Sequence, residues 1–220
     1  MAFFNLEMQI SFNNVIPHYL EKEKIQSSGL WGRTFTVEKG NFVQVVAPSG
    51  RGKSSLTHFI YGLRNDYEGS ISIAGTGIKD INAEKISKLR RETISIIFQD
   101  LRLFTGNTVE ENLVVKRDLE PYEGSADFRQ MAERLGIEKK LKQKAGICSY
   151  GEQQRVAIIR ALLQPFDFLI MDEPFSHLDQ NNRQRALELI MEECTKRNAG
   201  IILLDLQSNP HFSNSAKIDL

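Results

Sequence analysis

A chain of 220 residues, 41% of them hydrophobic, has room for one domain with a substantial core, or a core carrying a modest insertion. Its 28 basic and 28 acidic residues cancel, which argues against broad, charge-driven binding of nucleic acid, so no nucleic-acid partner is expected. Cys148 and Cys194 have no metal or disulfide spacing and fit a reducing compartment; no basic-then-apolar leader opens the chain, and no apolar run approaches the roughly 20 residues of a spanning helix, so a membrane role has to come through a partner.

In chain order, residues 9–13 and 34–37 alternate partially and read as antiparallel strands, as do residues 70–73. Residues 42–46, 94–98, 168–171 and 201–204 are short, nearly continuous apolar runs, the pattern of parallel strands covered on both faces. Between them, helical patterns are predicted at 54–63, 83–91, 125–135, 151–163 and 181–196. This alternation is α/β. The stretch from about 100 to 149 is polar and mainly helical, and reads as an inserted helical subdomain with a break at residues 121–124. The basic run at 138–144 reads as a solvated helix face. His18, His58 and His177 have no metal spacing and read as structural or surface residues.

The strongest local signal is Ala47-Pro48-Ser49-Gly50-Arg51-Gly52-Lys53-Ser54-Ser55, which follows an apolar strand and opens a helical pattern. Glycines let successive backbone N–H groups turn toward one anion, and the helix N-terminus points its positive end at the same place. Lys53 then reaches the β- and γ-phosphates, Ser54 is a Mg²⁺ ligand and Ser55 a contact for the α-phosphate. Ala47 stands where the motif has its first glycine. A left-handed backbone there would strain alanine, whereas a position needing only a small residue tolerates it. The strand at 168–171 ends in Asp172-Glu173, at the sheet edge where ligands bind. Asp172 reads as a Mg²⁺ holder and Glu173 as the general base that polarises water; the bland alternative is a pair of acids capping the next helix.

Cys148-Ser149-Tyr150-Gly151-Glu152-Gln153-Gln154-Arg155 resembles the signature motif of ATP-binding cassette (ABC) proteins. The resemblance covers nearly the whole chain and implies a P-loop NTPase (RecA-like) core with a parallel sheet, an N-terminal antiparallel β subdomain and an inserted helical subdomain. Residues 1–220 are then one ABC ATPase domain, with 1–99 and 150–220 forming the nucleotide-binding core and 100–149 the helical subdomain. In the family, residues placed as Ser149 and Gly151 reach the γ-phosphate bound by the opposite subunit, so ATP is shared between two chains. Gln99 resembles the glutamine that senses Mg²⁺ and the attacking water, Ser176-His177-Leu178-Asp179 the loop that crosses the dimer interface, and Tyr19 the aromatic residue that stacks on adenine, with packing on the protein itself as its alternative. Leu89-Arg90-Arg91 and the compact helical segment look most like the lipoprotein-release, macrolide-export and cell-division group. The resemblance implies ATP and Mg²⁺ as ligands, hydrolysis to ADP and phosphate, a second cassette (identical or not), a transmembrane permease partner, and a peripheral place on the cytoplasmic face of the plasma or inner membrane.

The chain departs from the family at three places. Tyr150 replaces the first glycine of the signature pair and Cys148 the usual leucine. The position of the family's γ-phosphate histidine falls at Leu206, which neither donates a hydrogen bond nor carries charge. Loss of one such donor costs about 10²–10³ in rate, so slow hydrolysis with retained binding, a cassette acting as an ATP switch, is the rival reading. A DNA-repair cassette is disfavoured because the stretch from Lys53 to Ser149 is too short for a long coiled-coil insertion, and a translation cassette because such chains usually join two cassettes and this one holds one.

Overall fold

The computed structural model describes residues 8–122, 127–212 and 215–220. The chain runs β1 (Gln9–Pro17), α1 (Lys22–Gln26), β2 (Thr34–Glu38), β3 (Phe42–Val46), α2 (Lys53–Ile60), β4 (Tyr67–Ile73), β5 (Thr76–Gly77), α3 (Ala83–Glu92), β6 (Ile94–Ile97), α4 (Val109–Leu119), α5 (Phe128–Arg134), α6 (Tyr150–Leu162), β7 (Phe168–Asp172), α7 (Gln180–Arg197), β8 (Gly200–Asp205) and β9 (Ala216–Asp219). The described residues form two sheets: an antiparallel one ordered β2-β1-β4-β5, and a parallel one ordered β6-β7-β8-β3-β9.

The four apolar runs form the adjacent strands β6, β7, β8 and β3 of the parallel sheet, with β6 at one edge. Every residue of β7 is buried, as are all but the last of β8, so both faces must be covered. One face packs under α4 to α7 through Val109, Met131, Ile158 and Ile190. The other packs against α2 and the antiparallel sheet through Val45, Leu56, Phe59 and Ile71. The fold thus has the α/β class expected, with α2 and the antiparallel sheet on one side and α4 to α7 on the other.

Element boundaries sharpen the expectations. The strand expected at 9–13 continues to Pro17 through a register shift between Asn13 and Ile16. Gly69 sits opposite with φ +75°, and a Cβ there would lie 2.3 Å from the Asn14 carbonyl oxygen, so only glycine fits. The helix expected at 125–135 is seen over Phe128–Arg134; its first two residues, like 123–124 of the expected break, lie outside the described residues. No sequence pattern announces β9. Its residues are mostly exposed and carry no apolar run, yet it pairs in parallel with β3 at the sheet edge.

A buried ion pair within α7 also ties that helix to the end of α6. Arg197 Nη1 lies 2.5 Å from Glu193 Oε2, and Arg197 Nη2 donates to the Leu162 carbonyl at 3.0 Å. Glu193 is fully buried, with Lys196 as its other cation at 2.9 Å. Breaking such a pair leaves an uncompensated buried charge. Arg197→Met is expected to cost about 3 kcal/mol in urea unfolding, the low end of the range because Lys196 remains. A cost below about 1 kcal/mol would mean that Arg197 neither stabilises α7 nor holds it to α6.

Candidate functional site

The loop after β3 turns on Gly50 (φ +79°) and Gly52 (φ +99°). Ala47 is not among the left-handed residues, so its side chain brings no strain, and its N–H donates to the Asp205 carbonyl at 3.1 Å. A small residue at a strand end is all that position requires. Gly52 has a second reason to be glycine: a Cβ would lie 3.1 Å from Cζ2 of the buried Trp31, whose indole N–H donates to the Arg51 carbonyl at 3.2 Å. Trp31 is thus the floor of the loop. No sequence signal beyond a lone tryptophan marks it.

Lys53 opens α2 and is nearly buried. Its ammonium donates to the carbonyls of Ala47 (2.7 Å) and Pro48 (3.3 Å) and lies 3.4 Å from Glu173 Oε1. Ser54 Oγ donates to Gln99 Oε1 at 3.4 Å, and Gln99 Nε2 donates to Glu173 Oε2 at 3.4 Å. Four residues from three separate stretches of chain therefore close a chain of polar contacts around one cleft of about 240 Å³, which Tyr19, Ser49, Gly50, Gly52 and Ser55 also line. Arg51 turns away, donating to Ser27 Oγ at 3.1 Å. Tyr19 keeps half its surface open at the cleft mouth, and its hydroxyl donates to Ser55 Oγ at 2.5 Å.

Glu173 follows β7 with φ +48°, a conformation that is costly for a residue other than glycine and is concentrated at functional sites. It is held there by its own N–H on the Leu204 carbonyl (2.9 Å) and by Gln154, whose Nε2 donates to the Glu173 carbonyl (3.3 Å). Gln154 stands inside the signature run, but nothing in the sequence assigns it this role; it is a buried amide on α6 whose Oε1 also accepts from His177 N–H at 3.1 Å. Asp172 is buried, and among the described residues its Oδ1 has no hydrogen-bond partner. It borders a neighbouring cleft of about 400 Å³ that Ser54 and Gln99 also line, so these two residues face both clefts. An orphaned, buried carboxylate oxygen beside a serine hydroxyl and an amide oxygen is a donor set of hard oxygens, which fits Mg²⁺.

Ser149 and Gly151 do not join this cleft. Ser149 caps α6 in a capping box: its N–H donates to Glu152 Oε2 (2.8 Å) and its Oγ accepts from Glu152 N–H (3.3 Å). Gly151 must be glycine because a Cβ would approach the His177 carbonyl oxygen to 2.9 Å. Tyr150, the departure from the signature, bridges the two motifs beside it. Its hydroxyl donates to the Gln99 carbonyl at 3.0 Å, and its ring lies 4.2 Å from that of His177. Leu206 is exposed after β8; its N–H donates to Asp205 Oδ1 at 2.7 Å, and it borders a separate cleft shared with Arg183 and His211. Burial pushes the Asp205 carboxyl above its usual range.

A family model described as ABC transporter matches residues 30–176, more than half of the chain. The chain belongs to the ABC transporter family. Over 209 residues, 94% of this cassette and 79% of its relative, it is 34% identical to the aliphatic sulfonates import ATP-binding protein SsuB of Bacillus anthracis. It is also 32% identical to the lipoprotein-releasing system ATP-binding protein LolD of Buchnera aphidicola subsp. Schizaphis graminum (strain Sg), over 84% of this chain and 82% of that one. Among solved structures it is similar to the dimeric post-hydrolysis state of the ATP-binding cassette MJ0796 bound to ADP and Pi, with a TM-score of 0.76 and 25% identity over 90% of this chain and 88% of that one. Its fold is the P-loop NTPase fold of an ABC cassette.

The electrostatics of Asp172 carry a pH signature. Burial, with Glu173 adding to it and Ser54 and Lys53 opposing, pushes the Asp172 carboxyl from 3.8 up to about 6. The folded protein then holds this proton more tightly than the unfolded chain. Its contribution to stability is full below pH 3.8, lost as pH rises to about 6, and absent above. Asp172→Asn removes the charge, so in metal-free protein it is expected to gain about 1–3 kcal/mol near pH 7 relative to its effect near pH 4. Urea unfolding at the two pH values checks this; an effect equal at both would show that Asp172 is not ionised against its surroundings.

Proposed function

We propose that this ABC cassette binds ATP and hydrolyses it at a dimer interface to drive a membrane permease. The observation that carries this is the convergence of Lys53, Ser54, Gln99 and Glu173 on one open cleft at the N-terminus of α2. The names of its relatives, ATP-binding subunits of import and release systems, support the reading, as does a neighbouring cassette that is dimeric with ADP and Pi. Residues 1–220 act as one cassette domain, with 1–99 and 150–220 as its core and 100–149 as its helical subdomain.

ATP lies with adenine against the open face of Tyr19 and its phosphates over the backbone of residues 47–55. Pro48 offers no N–H, so the donors are those of the residues after it, together with the α2 terminus. Ser55 contacts the α-phosphate. The negative β- and γ-phosphates draw the Lys53 ammonium from Glu173, and the freed Glu173 carboxylate takes the proton of the attacking water. Ser54, Gln99 and Asp172 would hold Mg²⁺, which would neutralise phosphate charge. Ser149 and the Gly151 backbone, at the outward end of α6, complete the site of a second cassette.

A largely apolar cleft of about 250 Å³, which also takes in Lys116 and Arg160, is bordered by Phe98, the residue before Gln99, and by Phe104, Val115 and Leu119. Phe104, Val115 and Leu119 are each more than half exposed, which suits a covering partner. No described helix is long and apolar enough to cross a membrane, so a permease that docks here would hold the cassette at the cytoplasmic membrane face.

Leu206 favours a second reading, in which ATP closes the dimer and turnover is slow. With Leu206 exposed beyond β8, no donor stands at that position for the γ-phosphate. Single-turnover hydrolysis separates the readings. Glu173→Gln is expected to lose about 10²–10⁴ of the rate while still binding ATP. Leu206→His is expected to be about 10²-fold faster than the unaltered chain. A histidine variant no faster than the parent would remove Leu206 as the limitation, and an undiminished Glu173→Gln would remove the base.

A further inference from the structure

We propose that Arg64 is a positioning residue for the nucleoside end of the nucleotide, acting through Ser55 and Tyr19. This rests on the nucleotide reading above and goes beyond its residue set.

Arg64 lies in the turn between α2 and β4, outside the phosphate loop. Three separate constraints fix its guanidinium. Nε donates to Asp66 Oδ1 at 2.9 Å, and Nη2 pairs with Asp66 Oδ2, a two-pronged grip that sets the plane. Nη1 donates to Ser55 Oγ at 3.1 Å. The guanidinium carbon lies 5.0 Å from the centre of the Tyr19 ring and 5.5 Å from that of Phe59, within cation–π range of both. The segment carrying Tyr19 is registered to the same turn, because His18 N–H donates to the Asp66 carbonyl at 3.0 Å.

The consequence follows from counting at one hydroxyl. A serine oxygen accepts two hydrogen bonds and donates one. Ser55 Oγ receives the Tyr19 hydroxyl at 2.5 Å and the Arg64 N–H at 3.1 Å, so both acceptor sites are filled. Its own proton is left to donate, and Ser55 lines the cleft. Arg64 thereby commits Ser55 to the role an anionic phosphate oxygen needs. The same cation supports the Tyr19 ring from the protein side and leaves the other face to a planar base. A lysine has no fork: it cannot hold Asp66 with two N–H groups while donating to Ser55 in a fixed plane.

The test is calorimetric titration with Mg-ATP, ADP and inorganic tripolyphosphate, on the full chain and on Arg64→Met and Arg64→Lys, each also in a Ser55→Ala background. Arg64→Met is expected to weaken ATP and ADP alike by about tenfold, because both carry the α-phosphate and the base. Tripolyphosphate, which has no base, is expected to lose less. Arg64→Lys is expected to fall near Arg64→Met, whereas a general attraction between charges would leave it near the parent. With Ser55→Ala the effect of Arg64→Met is expected to shrink to about threefold or less, since the part that runs through Ser55 is already lost and only the support of Tyr19 remains. Unchanged affinity in Arg64→Met, full affinity in Arg64→Lys, or equal effects in both backgrounds would each overturn the proposal. If Arg64→Met does not fold by circular dichroism, Arg64→Lys, which keeps stem and charge, decides alone. A parent chain that binds no ATP would bring down the nucleotide reading and this inference together; a parent that binds and variants that bind equally would bring down only the inference.

Discussion

Three parallel strands, β7, β8 and β3, end at one edge of the sheet, and almost everything at the cleft depends on that alignment. Parallel pairing sets Asp172 opposite Leu204 and Val46 opposite Asp205. The backbone continues the ladder one step further: Glu173 N–H reaches the Leu204 carbonyl and Ala47 N–H the Asp205 carbonyl. The start of the phosphate loop, the acidic pair and the end of β8 are therefore fixed to one another by main-chain hydrogen bonds. Such bonds form inside a buried sheet, where a missing partner is expensive. The side chains inherit their spacing from this edge.

One strained conformation and two cross-links are built on that frame. Glu173 sits in the left-handed region, and the cost is offset by contacts from two directions, β8 and the Gln154 amide of α6. The close approach of the His177 carbonyl to Gly151 joins the start of α6 to the loop after Glu173. Tyr150 adds a link from α6 to the Gln99 backbone. The outward end of α6 and the cleft are thus mechanically continuous within one chain, although they lie apart. A bulky residue in place of the family's glycine is accommodated because its ring lies over His177 rather than in the helix interior.

The nearly buried Lys53 gives the cleft its character. It has three oxygen partners, two carbonyls and Glu173, so its charge is satisfied before any ligand arrives. A polyphosphate offers more negative charge than these partners together. Competition for one ammonium is a simple way to couple phosphate arrival to release of a carboxylate, and it needs no movement of the sheet.

By itself the sequence determined the α/β class, the four apolar strands of the parallel sheet, the glycine-rich turn before α2 and the family. Each of these is written locally: apolar runs must be buried, glycines permit left-handed turns, and motifs occupy consecutive positions. The same local logic located Lys53, Ser54 and Glu173, the family resemblance added Gln99, and tertiary pairing brought the four to one cleft. Only the tertiary structure decided what long-range contact decides. Strand β9 has no apolar pattern and exists as a strand because β3 offers it an edge. Trp31, Arg64 and Gln154 acquire meaning only when distant segments meet beneath the loop, behind Tyr19 and under Glu173. Ala47 illustrates the division. The sequence favoured an unstrained small residue there without fixing φ, which the strands on either side set, and the sheet bears that reading out.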